Sequence, residues 1–327
     1  MKVLVTGATG FIGNHLIFKL KTIENLSIRA AIRSQSSQSS QNQLPEGIEF
    51  VTVGNIDRDT DWQEALKDID TVIHLAGRAH ILDDRVANPE AEFIKVNTEG
   101  TANLAGQSIQ AGVKHFIFIS SIGAMATLSE QTLTEATTSQ PDTPYGRSKL
   151  EAEQQLIKLA KDTSLNWTIL RPTLVYGANN PGNMAILVKL IQKQLPLPFG
   201  SIDNRRNFLY VGNLVDAIAT CVTNEKAKNQ LFLIADAQVL STPELVTQIA
   251  RAMNLPVKLL PIPSSLLKGL GYVGNLASGI LDKSLPITSQ SIDKLLGSLA
   301  VDNRHICQTL DWQPPYTTED GFDRSFR

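Results

Sequence analysis

The chain reads as an α/β protein, a Rossmann-type doubly wound parallel sheet covered by helices on both faces. Three observations predict this. Short apolar runs alternate with stretches of helical periodicity, the runs are apolar at nearly every position rather than every second one, and the first run ends in a glycine-rich turn where a helix begins. A strand buried on both faces has no solvent side to alternate toward.

The elements follow in order. "KVLVTGA" is a short β-rich run closed by glycine, and "FIGNHLIFKLKT" returns its apolar residues at helical spacing. Strands are then predicted at "SIRAAIR" and "IEFVTV", a helix at "DWQEALKD", a strand at "TVIHLA", and one long helix through "FIKVNTEGTANLAGQSIQAG". Strand "HFIFIS", a helix carrying Tyr145 and strand "WTILRP" complete this half. After Arg171 and Pro172 the loops "GANNPGNM" and "QLPLPFGSIDNRR" frame a helix at "AILVKLIQKQ", where a smaller domain begins. "NFLYVGNLVDAIATCV" and "QLFLIA" return the chain to the sheet. The expected division is therefore discontinuous, with a dinucleotide-binding domain at 1–172 and 206–240 and a substrate domain at 173–205 and 241–327.

Composition narrows the partners. A net charge of −2 with no long basic run gives no electrostatic reason to expect nucleic acid or an anionic membrane, which leaves small molecules. Cys221 and Cys307 are too few and too far apart for a disulfide framework or a metal cluster, so a reducing cytoplasm and no metal are expected. The opening apolar stretch runs straight into a glycine turn, unlike a signal peptide. The apolar segment 259–287 is broken by Pro261, Pro263, Lys268 and glycines, short of the roughly twenty uninterrupted residues that a membrane span requires. The polar, low-complexity stretch 34–43 reads as a surface loop.

The first turn reads Gly7, Ala8, Thr9, Gly10, Phe11, Ile12, Gly13, with glycines three apart between strand and helix. Glycine permits a tight turn and close approach to a pyrophosphate, and the helix start offers free N–H groups, so this is the expected dinucleotide site. At the end of the second strand, where a carboxylate commonly holds a ribose hydroxyl, stand Arg33 and Ser34. A guanidinium there favours a 2′-phosphate, so NADP(H) is preferred and NAD(H) remains possible. Asn55 and Ile56 are placed to approach the adenine, and Ala76 and Gly77 to let backbone pass under the cofactor. Tyr145 and Lys149, four apart in "PYGRSKLEAEQQL", share one helix face. A phenol titrates at about 10, and a neighbouring cation favours its phenolate, which suits acid/base chemistry.

With "TGATGFIG", "HLAG", "VNTEGT", "SS" and "YGRSK" in this order, and "RPTLVYG" and "RRNFLYVGNLVDAI" later, the chain resembles the extended short-chain dehydrogenase/reductases, in particular their nucleotide-sugar epimerase/dehydratase group. The resemblance covers essentially the whole chain. It implies that Ser121 binds the reacting sugar oxygen, that Tyr145 is the acid/base, that Lys149 binds the nicotinamide ribose and depresses the Tyr145 pKa, and that Asn97 completes a tetrad. It also places Pro172 against the cofactor and Arg206 on the substrate diphosphate, and it implies a homodimer formed partly by the helix bearing Tyr145.

Family dehydratases carry an Asp-Glu pair just after the active-site Ser or Thr, where this chain has Ile122 and Gly123, so dehydration is not expected. Two reactions remain open. One is 4-keto reduction of a UDP-4-keto-6-deoxy-N-acetylhexose, which Arg33 and a likeness to a polysaccharide-pathway, UDP-glucose 4-epimerase-like subgroup favour. The other is 4-epimerisation of a UDP-hexose such as UDP-glucose or UDP-N-acetylglucosamine. A non-catalytic NADP-sensing protein is the third reading, opposed by the intact Ser121, Tyr145 and Lys149. Leu174 stands where well-known epimerases have an asparagine on the diphosphate, and Asn207 replaces a commoner aspartate. His80 reads as a loop residue outside the chemistry.

Overall fold

The structure is a computed structural model that describes residues 1–34, 44–79, 88–180, 183–269 and 289–327. His80 and nearly all of 34–43 lie outside the described residues, as does much of the apolar segment 259–287. Among the described residues no helix is long and apolar enough to cross a membrane, and no group of three or more His, Cys, Asp or Glu is placed to hold a metal.

Seven parallel strands form the main sheet: β1 (Lys2–Thr6), β2 (Ser27–Ile32), β3 (Glu49–Thr52), β4 (Thr71–His74), β5 (His115–Ile119), β6 (Asn166–Pro172) and β9 (Gln230–Ile234). Their order is β3-β2-β1-β4-β5-β6-β9, so the winding reverses between β1 and β4. In such sheets a ligand sits in the crevice beyond the carboxyl ends of the strands at that reversal. The interior strands β4 and β5 are buried at every position, as the unbroken apolar runs predict.

Two cores clothe the sheet. On one face α1 (Phe11–Leu20) packs beside α7 (Val211–Thr223), burying Leu16, Ile17, Leu214 and Ile218 against Val3, Val5 and Ile117. On the other, α4 (Gly100–Gln110) and α5 (Pro144–Ala160) bury Leu104, Ala105, Ala152 and Leu156 against Leu4, Phe116 and Phe118.

Residues 206–210, read from sequence as part of the return to the sheet, instead form β8 (Arg206–Tyr210) in a second sheet ordered β10-β8-β7, with β7 (Leu174–Tyr176) and β10 (Val239–Leu240). The return itself is made by α7 and β9. A third apolar core, built on Phe199, Phe208, Leu245, Ile249 and Phe322, joins this small sheet to α8 (Thr242–Ala252) and α11 (Thr318–Phe326). Each of these two helices starts in a capping box, Ser241 with Glu244 and Thr317 with Asp320. The reciprocal bonds satisfy N–H groups that would otherwise be orphaned, and losing such a cap costs about 1 kcal/mol.

Asp236 ties the pieces together. Its buried carboxylate accepts from Tyr176 Oη at 3.1 Å, Tyr210 N at 3.0 Å and Asn213 Nδ2 at 2.7 Å, linking β7, β8 and α7. Burial pushes its pKa up to about 6 against the pull of those three donors. Asn207 has its own structural use, donating to the Asp236 carbonyl at 3.1 Å and accepting from Val301 N at 3.0 Å.

Candidate active site

The carboxyl ends of β1 and β4 meet backbone to backbone. Gly7 has φ +71°, and a Cβ added there would sit 2.8 Å from Ala76 N; one added to Gly13 would sit 2.1 Å from Gly7 O. No side chain fits at either place. α1 begins with Gly10 as its N-cap, without a capping side chain and without an acidic residue in its first turn, while Thr9 and Gly10 are exposed. Phe11 and Ile12, partly buried, open the helix. Free N–H groups and the positive end of the helix dipole are thus presented at the reversal of the sheet, an arrangement that fits the diphosphate of a dinucleotide.

Other residues expected around a cofactor spread along the same edge. Arg33 is exposed just past β2, with Ser34 beside it. Asn55 is exposed, and its carbonyl accepts the Thr60 hydroxyl at 2.8 Å. Ile56 packs so closely on Gly100 that a Cβ there would lie 2.6 Å from Ile56 Cγ2. Pro172, buried, closes β6 in register with Ile234. Gly77 is exposed, and a Cβ added to it would lie 3.0 Å from Asn97 Oδ1 and 3.4 Å from Lys149 Nζ, which places those two groups against the turn after β4.

The four residues of the implied tetrad come from three elements and converge. α5 starts at Pro144, whose preceding residue Thr143 caps it by accepting from Gly146 N at 3.1 Å. This start puts Tyr145 on the first turn, where its phenol faces Ser121 just beyond β5 and is drawn down in pKa by that hydroxyl. Ser121 Oγ in turn accepts from Gly123 N at 3.0 Å, capping a short 3₁₀ turn at Ile122–Ala124. One helical turn further, the buried Lys149 donates to Ile119 O at 3.0 Å and lies 4.6 Å over the Phe118 ring.

Asn97 sits in a π-helical stretch, Ile94–Glu99, between α3 (Pro89–Phe93) and α4. The long helix expected at 93–112 is thus interrupted. A widened turn re-aims side chains, and such turns often occur at functional sites. Asn97 donates to Arg78 O and to Ser148 Oγ, both at 3.0 Å, and accepts from Arg78 N at 2.8 Å, so it is fully engaged in joining the turn after β4 to α5.

Electrostatics refine the expectation for Tyr145. Burial raises its pKa, and the opposing pull comes from the Ser121 hydrogen bond rather than from Lys149. Lys149 is itself drawn down to about 8 by burial, with the Glu153 carboxylate pushing back. His74, between Thr6 Oγ1 at 2.7 Å and Thr101 Oγ1 at 3.0 Å, is drawn down to about 3 by burial and by the Lys149 charge, so it is neutral near pH 7.

The profile of the NAD dependent epimerase/dehydratase family matches residues 3–235, more than half of the chain. The chain belongs to that family. Among curated relatives, this family member is 40% identical to a UDP-glucose 4-epimerase of Vibrio cholerae, over 99% of its own length and 94% of the relative's. It is 29% identical, over 99% and 94%, to an N-acetyl-alpha-D-glucosaminyl-diphospho-ditrans,octacis-undecaprenol 4-epimerase of Escherichia coli O157:H7. The fold matches solved structures end to end. The UDP-glucuronic acid 4-epimerase of Bacillus cereus in complex with NAD superposes with a TM-score of 0.77 at 20% identity, covering 100% of this chain and 97% of that one. The UDP-glucose 4-epimerase of Thermotoga maritima with UDP-glucose gives 0.75 at 22% identity, over 100% and 97%.

Arg206 is anchored in part within the chain. Its Nη1 donates to Lys294 O at 2.6 Å and Gly297 O at 3.1 Å, at the end of α9 (Ser289–Leu296). Nε and Nη2 make no hydrogen bond among the described residues. Leu174, which stands where the resemblance has an asparagine, is 39% exposed.

The sequence reading missed Glu153. It continues the spacing of Tyr145 and Lys149 by one further turn, a signal present in "YGRSKLEAE". It also missed Ser120 and Arg171, which no local pattern marks.

Proposed function

We propose that this protein is an NAD(P)-dependent 4-epimerase of a UDP-linked hexose. The observation that carries the reading is the convergence of Ser121, Tyr145, Lys149 and Asn97 beside an uncapped helix start that fits a dinucleotide diphosphate. The 40% identity to a UDP-glucose 4-epimerase across nearly all of both chains supports epimerisation over the other family reactions.

Bound nicotinamide would supply the acceptor and donor of hydride at the sugar C4, as the cofactor carries the redox chemistry. The protein's own residues handle the proton. Tyr145 holds and moves the proton of the C4 hydroxyl, Ser121 donates to the same oxygen, and Lys149 contributes positive charge beside them. Positioned acid/base groups of this kind contribute about two to four orders of magnitude. Gly7, Thr9, Gly10, Phe11, Ile12 and Gly13 would hold the diphosphate, and Ala76, Gly77 and Pro172 the nicotinamide end. The cofactor would rest on 1–172 with 206–240 and the sugar on 173–205 with 241–327, although β8 belongs by pairing to the smaller sheet. The free part of the Arg206 fork would take the nucleotide diphosphate.

The test is incubation of pure protein with UDP-glucose, and separately UDP-N-acetylglucosamine, with C4 epimers followed by proton NMR. Epimer formation with no net consumption of NADH or NADPH is expected. A second reading, the 4-keto reductase, is favoured by one observation, the exposed Arg33 at the end of β2 where NADPH would carry its 2′-phosphate. Stoichiometric loss of NADPH absorbance with a UDP-4-keto-6-deoxy-N-acetylhexose, and no epimer from either hexose, would replace the epimerase by that reductase.

A further inference from the structure

The end of β5 meets α5 at three consecutive residues. Ser121 faces the Tyr145 phenol, Ile119 O accepts from Lys149 at 3.0 Å, and between them Ser120 Oγ donates to Glu153. On the helix these partners are spaced four apart and so stack on one face. Glu153 and Ser120 are 2% and 4% exposed, and a carboxylate so buried demands a countercharge. Arg171 of β6, also buried, provides it through Nε at 3.0 Å and Nη2 at 2.5 Å, and its Nη1 extends to Ser139 Oγ at 3.1 Å.

A buried ion pair is weak evidence for stability, because desolvation cancels much of the attraction and an apolar pair of similar volume often serves as well. Its position here suggests another use. We propose that Glu153 is a positioning residue for the reaction, pinning the helix face that carries Tyr145 and Lys149 to the end of β5 and setting a negative charge one helical turn from the Lys149 ammonium. This rests on the reading of Tyr145 and Lys149 as the proton-transfer pair. The charged and titratable groups facing Lys149 are Tyr145 and Glu153 on its own helix and His74 on β4, with Arg171 of β6 behind Glu153. His74 is neutral near pH 7, so Glu153 supplies the attraction.

The experiment compares wild type with Glu153→Gln, with the double variant Glu153→Gln, Arg171→Met, and with Ser120→Ala. The single Gln variant strands a buried guanidinium and is expected to unfold more readily; the double variant removes both charges, and its folding is checked by near-ultraviolet circular dichroism. In the double variant kcat is expected to fall at least about tenfold with KM within about threefold, while the apparent upper pKa of kcat drops by about one unit, the lower end of the effect of a nearby opposite charge. Ser120→Ala keeps both charges, so kcat is expected to fall while that upper pKa stays in place.

Titration of the Lys149 ammonium by NMR in protein labelled with nitrogen-15 lysine, assigned with Lys149→Arg, reads the same charge effect without turnover. A wild type that turns over no sugar nucleotide while its Lys149 titration moves in the double variant counts against the enzymatic reading and for the Glu153 coupling. An unchanged titration, or a folded double variant with wild-type kcat and pH profile, overturns the role of Glu153.

Discussion

Gly146 and Gly123 are in backbone contact: a Cβ built on Gly146 would fall 2.1 Å from Gly123 O. This approach lets the first turn of α5 settle onto the 3₁₀ turn after Ser121, and so lets the Tyr145 phenol reach the Ser121 hydroxyl. Ala normally improves a helix interior over Gly by about 1 kcal/mol. Here the sign reverses. Gly146→Ala is expected to destabilise by about 1–3 kcal/mol, the usual cost of overpacking, and to lower kcat more than it raises KM. Urea denaturation and steady-state kinetics on one preparation check both; a stabilised, fully active variant would refute the contact.

Tyr145→Phe is expected to lower kcat by about two to four orders of magnitude while leaving cofactor affinity within a few fold, because the ring remains and only the transferable proton is lost. Turnover is followed by NMR and cofactor binding by calorimetry. Turnover equal to wild type would remove Tyr145 from the chemistry.

Much of this site was legible before the fold was known. The strand-turn-helix order locates Gly7 through Gly13, and the fourfold spacing of Tyr145 and Lys149 puts both on one face. Three features were not legible, each for a physical reason. The π-helical turn at Ile94–Glu99 has no distinctive composition, so "FIKVNTEGT" reads as continuous helix. β8 and α7 adjoin without a break in "NFLYVGNLVDAI", and apolar content alone does not reveal that the strand joins one sheet while the helix covers another. The Glu153 and Arg171 pair spans 18 residues and depends on the pairing of β5 with β6, a tertiary fact.

Lys149 predicts opposite pH trends for activity and stability. With its folded pKa drawn to about 8 and an unfolded value near the ordinary 10.5, the native chain binds fewer protons than the unfolded chain between those values. This group therefore adds stability as pH rises through that window, while a step requiring the ammonium slows above about pH 8. Parallel pH series of denaturation and kcat, on wild type and Lys149→Met, test this: the variant is expected to lose the stability trend.

Asp236 gives a trend of opposite sign. Its folded pKa of about 6 lies above the ordinary 3.8, so the native chain binds more protons between them, and this group costs stability as pH rises from about 4 to about 6. Asp236→Asn removes that slope. It also sets an amide N–H₂ among the donors of Tyr210 and Asn213, at a cost of about 1–3 kcal/mol for groups left unsatisfied. Denaturation midpoints across this range should show a lower but flatter profile for the variant.

Gly10→Ala separates cofactor binding from folding. A Cβ at Gly10 meets only Gly7 O, at 3.2 Å, and otherwise points into open space at the start of α1. The variant is expected to fold with a melting temperature within a few degrees of wild type and to bind NAD or NADP at least about tenfold more weakly, since the methyl group occupies the approach to the helix N–H groups. Unchanged affinity in calorimetry would move the diphosphate elsewhere.

The three meetings between β5 and α5 differ in kind, and the difference allows one alignment of the helix. Sliding the helix by one turn would bring the Glu153 carboxylate against the Ile119 carbonyl and the Lys149 ammonium against Ser121, trading an attraction between opposite partial charges for a repulsion between like ones. Apolar packing resists the same slide, because it would exchange the buried Leu156 with Ala152 or Ala160, overfilling one place in the core and emptying another. The polar contacts add to that discrimination, so the native register of this helix is specified by charge as well as by volume.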